Sequence, residues 1–533
     1  MTRTFRLSLA LLALAPIAAY AANPLQIKTD KGKVRGVLTT DGKVRAFKGI
    51  PYAAPPVGNL RWQPPQPAAK WKGVRDASHF GSRCMQANVY PDMIFRDPGP
   101  SEDCLTLNVW TPANAKKDSL PVMVWIYGGG YQAGGTSEAR QDGQFLAHRN
   151  VVVVSMNYRL GIFGFFVHPE LTAESPHHAS GDYGLMDQNA AIEWVQKNIA
   201  AFGGNPANIT IFGESAGSFS VSTLMASPLS QGRFQKAIGE SGGAFYSGVL
   251  AYQPREAREQ EDLKFAQDAF GTSKLADLRK LSAEVLLNGV TARTSGEDIH
   301  FRPDVDGWFL PDTVPNIYAA GKQAHIPLLA GWNADEDRDS VIFAHPQPTA
   351  ESFRQQAQAE FGANADQFLK LYPASTDAEA LQSAGDLASD RFIVYSTWRW
   401  LEAQAKTGEA PVYRYRFDRA SPADKFHPAG SGAFHSDDIA YVFGTLDSRE
   451  GAQWRPEDRA LSDLIGQYWT NFARTGDPNG TALSGNSTLP KWPTYNAADG
   501  WQVMHLNATS AARPDAQRDR YLFLNMVWSK PRS

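Results

Sequence analysis

Apolar residues recur along the chain at two spacings. In VMVWIY (122–127), VVVVSMNYR (151–159), ITIF (209–212), QKAIGE (235–240), IPLLAG (326–331) and VYRYRF (412–417), aliphatic, β-branched or aromatic residues dominate and often stand side by side. Short runs that are apolar on both faces suit a parallel sheet buried beneath helices. In MDQNAAIEWVQKNIAAF (186–202) the spacing changes: Ala190, Ile192, Trp194, Val195 and Ile199 mark an apolar stripe near helical period. Strands alternating with such helices predict an α/β fold built from right-handed crossovers. Two stretches, 255–320 and 350–408, read as helices and loops with weak strand character, suited to a lid or to helical insertions. No Gly/Ser-rich or Pro-rich linker separates folding units, so one large domain is predicted.

The N-terminal pattern differs from all of these. Arg3 and Arg6 precede a short apolar run, Leu7 to Ile17, and Ala19-Tyr20-Ala21 fits a small-x-small cleavage site. Residues 1–21 therefore read as a signal peptide, with the mature chain beginning at Ala22. The apolar run is shorter than the roughly 20 residues a spanning helix needs, and no other segment is long and apolar enough to cross a bilayer. A secreted or periplasmic protein without a membrane span is expected. The 533 residues are 43% hydrophobic and 20% charged, enough material for a large core, and the 14 tryptophans argue against disorder. The formal charge of −3 includes two positive charges carried by the leader, and no basic cluster points to nucleic acid or anionic lipid. Cys84 and Cys104 are the only cysteines. In an exported chain they are expected to form a disulfide, and two cysteines alone make no zinc site.

Candidate chemistry begins at GESAG (213–217), a G-x-S-x-G pattern. Such a turn lifts a serine clear of a sheet between a strand and a helix. GESGG (239–243) matches equally well, with Ser241 at its centre. Context separates the two. Ser215 follows ITIF and precedes AGSFSVSTLMAS, which continues as a helix, whereas Ser241 precedes Gly242-Gly243, poor helix formers. An activated serine needs a base and the base an orienting acid. His427 and His435 both lie in the loop after VYRYRF. The segment GWNADEDRDS (331–340) follows the strand IPLLAG and offers Asp335, Glu336, Asp337 and Asp339, among which the residues themselves do not choose. Upstream, WIYGGGY ends an apolar run in Gly128, Gly129 and Gly130. With a nucleophile turn downstream, such a cluster suits backbone donors for an oxyanion; a Walker lysine is absent, and G-x-G-x-x-G is not matched.

The chain resembles the type-B carboxylesterase/cholinesterase family of α/β-hydrolases. FGGNPANITIFGESAG (202–217) matches that family's nucleophile signature and EDCLTLNVWTP (102–112) its second signature. FKGIPYAAPPVGNLRW (47–62), VSMNYRLGIFGFF (154–166), PDVDGWFLP (303–311) and WTNFARTGDPN (469–479) extend the likeness over nearly the whole mature chain. The resemblance implies an α/β-hydrolase fold with a mostly parallel central sheet in a single domain over 22–533, and a bacterial secreted carboxylesterase that takes a small-molecule ester and needs no metal or organic cofactor. It implies a triad of Ser215, Glu336 and His435, since FHSDDIAYVFG (434–444) resembles the family's histidine loop. Asp337 stands where the family usually has glycine. It further implies an oxyanion hole of the Gly129, Gly130 and Ala216 N–H groups, with Gly128 turning the chain toward them. Ser241 becomes a supporting residue near the acid, and Arg61–Glu102 and Arg159–Asp187 become structural ion pairs. The stretch between the cysteines holds no tryptophan, so a choline-binding enzyme is not expected; Tyr90 and Phe95 are its aromatic residues. The N-x-S/T matches at Asn208, Asn479, Asn486 and Asn507 are read as chance. Two alternatives stay open: a non-catalytic binding or adhesion member of the family, and a hydrolase of amides, thioesters or carbonates.

Overall fold

A computed structural model describes residues 25–115, 119–246, 251–294, 300–480 and 489–528. The expected leader and Asn486 lie outside the described residues.

The apolar runs pair into one sheet. Among the described residues it has eleven strands: β1 (Val37–Leu38), β2 (Val44–Pro51), β3 (Thr106–Pro112), β4 (Leu120–Ile126), β5 (Val152–Met156), β6 (Gly204–Glu214), β7 (Lys236–Glu240), β8 (Leu328–Asn333), β9 (Val412–Phe417), β10 (Gln502–Leu506) and β11 (Ala511–Pro514). The order across the sheet is β11-β10-β9-β8-β7-β6-β4-β5-β3-β2-β1. From β10 to β5 every neighbouring pair is parallel, while β11 at one edge and β3, β2 and β1 at the other run antiparallel. All six predicted strands are central, parallel members. The edges went unpredicted because they are short or carry polar residues among the apolar ones.

Val122, Val124, Val152, Val154, Ile209, Ile211 and Ile238 are all fully buried, as strands covered on both faces require. The cover includes α1 (Tyr183–Asn198), α2 (Ala216–Ala226), α3 (Tyr395–Thr407), α4 (Asp438–Phe443) and α5 (Pro456–Thr475). Helix α1 fulfils the pattern over 186–202 and passes into a 3-10 turn at Ile199–Phe202, but Ala191 rather than Ala190 is the alanine it buries. The segment read as a strand to residue 159 leaves the sheet after Met156; beyond it the Asn157 side chain accepts from the Thr136 N–H and Arg159 pairs with Asp187. The two stretches without strand character form helices, Arg255–Phe270 and Ala283–Thr291 in the first, Ala350–Phe361 and Asp377–Ser389 in the second. No helix among the described residues is long and apolar enough to cross a membrane.

Cys84 and Cys104 are joined as a disulfide. Arg61 forms a two-point pair with Glu102 (2.6 and 2.7 Å) and also donates to the Leu281 carbonyl. Arg159 pairs with Asp187 in the same way (2.7 and 2.8 Å). Arg159, Asp187 and Arg61 are buried and Glu102 nearly so, which separates both pairs from surface ion pairs of negligible worth.

Candidate active site

The site forms where parallel strands end. Strands β6 and β7 run in register, with Gly213 beside Gly239 and Glu214 beside Glu240, so the two GES segments lie next to each other. Ser215 and Ser241 both take a left-handed φ, 53° and 50°. Their surroundings then diverge. Ser215 passes directly into α2, while Gly242 and Gly243 carry the second segment away without a helix. The glycines flanking Ser215 are required by contact. A Cβ on Gly217 would stand 2.0 Å from the Ile126 carbonyl oxygen, and one on Gly213 would meet the same atom at 2.6 Å. The turn therefore presses against the end of β4, and a non-glycine residue at a strained φ marks it as a candidate functional position.

The strand end at Ile126 leads into Tyr127 and the three glycines. Gly129 and Gly130 have φ of 99° and 62°, and the Gly129 carbonyl accepts from the N–H groups of Gln132 and Ala133, both at 3.0 Å. These two glycines make the turn. Gly128 does not, contrary to the expectation. It is a close-approach residue: a Cβ there would lie 2.6 Å from Glu214 Oε2 and 2.9 Å from Ser215 Cβ. The glycine loop and the serine turn are thus in contact through a residue that has no room for a side chain. Tyr127 stacks on Tyr158 (4.5 Å), whose hydroxyl donates to the Tyr127 carbonyl at 2.8 Å.

Of the four acids after β8, only Glu336 is aimed at a histidine. Its Oε2 lies 2.6 Å from His435 Nδ1, while Oε1 accepts from the Asn333 N–H (2.7 Å) and the Ser241 hydroxyl (2.5 Å). Asp335 accepts from the Ala433 N–H, Asp337 uses its own N–H on Ser389, and Asp339 opens a short helix, Asp339–Ile342. His427 is held by Asp424 and stacks on Phe434 at 3.8 Å, so its ring is committed away from Glu336.

Sequence reasoning missed Glu214. Its Oε1 lies 3.2 Å from His435 Nε2, and no hydrogen bond joins that nitrogen to Ser215 in this arrangement. Nucleophile–base contacts are often long in unliganded enzymes and close when substrate binds. Burial opposes charge on His435, but Glu214 and Glu336 outweigh it and hold the ring's pKa above its ordinary value. Burial likewise raises Glu214, against the attraction of His435. The position inside GESAG could have flagged Glu214, but only the packing of β6 against the histidine loop shows where its carboxylate goes.

A serine on a strained strand–helix turn, a glycine loop packed against it and a histidine paired with a buried glutamate together suit an acyl-transfer site. Residues 23–523 match the model of the carboxylesterase family. The chain belongs to that family. Among curated relatives it is 36% identical over 492 residues to the fumonisin B1 esterase of Sphingopyxis macrogoltabida, covering 90% of this chain and 86% of that protein. It is also 36% identical to the para-nitrobenzyl esterase of Bacillus subtilis (strain 168), over 88% of this chain and 92% of the other. A solved PNB esterase structure superposes with a TM-score of 0.78 at 33% identity, covering 94% of this chain and 99% of that one. This carboxylesterase-family chain therefore has the α/β-hydrolase fold and is a serine-hydrolase-type esterase.

Proposed function

We propose that this protein hydrolyses carboxylic esters through an acyl-enzyme on Ser215. Its hydroxyl oxygen attacks the ester carbonyl carbon while His435 Nε2 takes the hydroxyl proton. The carbonyl oxygen becomes an oxyanion received by the N–H groups of Gly129, Gly130 and Ala216. Collapse breaks the bond to the alkoxy group, which leaves with the proton from His435. A water then attacks the acyl carbon, His435 again taking the proton, and the acid is released with Ser215 restored. Glu336 holds the imidazole in orientation and balances its positive charge, and Ser241 and the Asn333 N–H hold Glu336. The observation that carries this reading is the 2.6 Å contact between Glu336 and His435, beside a serine turn pressed against a glycine loop.

The substrate is a small-molecule ester. An apolar cavity of about 320 Å³ lies beside the glycine loop, lined by Met85, Gln132, Ile162, Phe163, Leu287 and Val290 among others. Its mostly apolar lining, and Gln132, which follows the glycines in the chain, support an ester with an uncharged apolar arm. The N-terminal pattern and the Cys84–Cys104 disulfide support export, with Ala22 as the first mature residue. Hydrolysis of p-nitrophenyl esters of increasing chain length, with Ser215→Ala as control, tests the reading. Turnover lost in Ser215→Ala and rising with chain length supports it; activity that survives the substitution overturns it.

A further inference from the structure

The two walls of the proposed oxyanion hole belong to different elements. Gly129 and Gly130 follow β4, and Ala216 opens α2. The glycines have no side chains of their own to anchor them, so the aim of their N–H groups depends on what holds their neighbours.

Tyr131, the residue after Gly130, is buried and takes a φ of 58°, uncommon for a bulky side chain. Its carbonyl accepts from the Gly161 N–H at 2.7 Å, and its ring packs edge-on against Phe165 at 5.0 Å. Its hydroxyl reaches past these contacts into a buried cluster. It stands 3.2 Å from the Tyr252 hydroxyl and 3.4 Å from Ser220 Oγ. Ser220 lies one turn after Ala216 and donates to the Ala216 carbonyl at 2.9 Å, while accepting from the Gln188 amide at 3.0 Å. The Tyr252 hydroxyl is also 3.4 Å from Thr223 Oγ1 on the next turn of α2. A continuous path of hydroxyls thus runs from the residue after Gly130 to the first turn of α2, where Ala216 sits. Ser220, Gln188 and Thr223 are fully buried, so water does not compete for these bonds.

We propose that this hydroxyl bridge sets the separation of the two oxyanion walls, with Tyr131 and Ser220 as positioning residues for the transition state. The proposal rests on the oxyanion-hole reading given above. Neither side chain touches the reacting atoms. Each acts by holding a backbone donor where the oxyanion forms, and small displacements there are felt in the transition state more than in the ground state.

The test uses the full-length protein and p-nitrophenyl acetate, a short ester that does not fill the apolar cavity. Tyr131→Phe keeps the ring and removes only the hydroxyl, and Ser220→Ala removes the other end of the bridge. Each is expected to lower kcat by about five- to tenfold, the worth of one buried hydrogen bond or slightly more, with KM within about twofold. Affinity for an aryl trifluoromethyl ketone, which adds to the serine as an oxyanion, should fall in parallel. The double variant should lose about as much as either single one, because both break one bridge. Losses that multiply, or kcat and ketone affinity unchanged while only thermal stability moves, overturn the proposal. Should Ser220→Ala fail to fold, Tyr131→Phe, which removes the hydroxyl that meets both Ser220 and Tyr252, decides the matter alone. Gly129→Ala separates the two readings. If it abolishes ketone affinity while the bridge variants do not, the bridge alone is wrong; if it leaves kcat and ketone affinity intact, as they do, the oxyanion hole itself is misplaced.

Discussion

Replacing Gly129 by alanine perturbs the glycine loop by a single methyl group. At a φ of 99° that methyl would stand 2.2 Å from the Ala133 carbonyl oxygen and 2.8 Å from its carbon, both backbone atoms that no rotamer change can move. The turn must therefore open. Its Gly129 carbonyl accepts from Gln132 and Ala133, so the peptides that present the Gly129 and Gly130 N–H groups turn with it. Losing one oxyanion donor costs about 3–4 kcal/mol in serine hydrolases, a fall in kcat of roughly 10²–10³-fold. The backbone strain itself is about 1–3 kcal/mol, a loss of a few degrees in melting temperature for a chain this size. The control is Gly42→Ala. Gly42 also has a positive φ, of 69°, but a Cβ there meets nothing within 4 Å, so that variant carries strain without disturbing the site. Initial rates on p-nitrophenyl acetate and thermal melts of both variants decide the matter. A Gly129→Ala enzyme with kcat within about threefold of the parent would show that the glycine loop does not present the oxyanion donors, as would an equal loss in Gly42→Ala.

Glu336→Gln keeps the shape but removes the charge facing His435, and kcat is expected to fall about 10³–10⁴-fold, whereas Asp337→Asn should stay near the parent rate; steady-state kinetics that reverse the two would move the acid. Glu214→Gln removes a carboxylate that raises the His435 pKa, and His435 must be neutral to accept the serine proton. The acidic limb of the kcat/KM–pH profile should therefore shift to lower pH by about one unit or more, and a shift upward would contradict the assigned contact. Arg61→Ala strands Glu102 in a largely buried setting and should cost about 3–5 kcal/mol, seen as a lower melting midpoint; an unchanged midpoint would make the pair a surface contact of no consequence.

The parallel half of the sheet was legible because a strand buried on both faces has few polar residues to obscure its pattern. Val37–Leu38 lies at an edge with both residues exposed, Lys33–Arg35 is the middle strand of a separate three-stranded sheet and buries only Val34, and their two or three residues leave no period to detect. Ser215 was separable from Ser241 on local grounds alone, since a helix must follow the turn. His435 and Glu336 needed the family likeness, because a histidine in a loop and four clustered acids look alike until packing aims them. The features that remained hidden are those assembled from distant segments. Glu214 meets a ring more than two hundred positions later, and Tyr131 meets Tyr252 across more than a hundred. Gly128 was misread for a related reason: its need for glycine comes from the Glu214 carbonyl and Ser215 Cβ pressed against it, not from its own backbone angle.

Covalent labelling tests the central assignment most directly. A fluorophosphonate reacts with a serine only where base and oxyanion donors are both in place. Intact-mass analysis of the folded protein should show one adduct, mapped to the peptide carrying Ser215, absent in Ser215→Ala and retained in Ser241→Ala. An adduct on Ser241, or a folded protein that takes no label at all, would contradict the assignment of Ser215 as the nucleophile of this carboxylesterase-family chain.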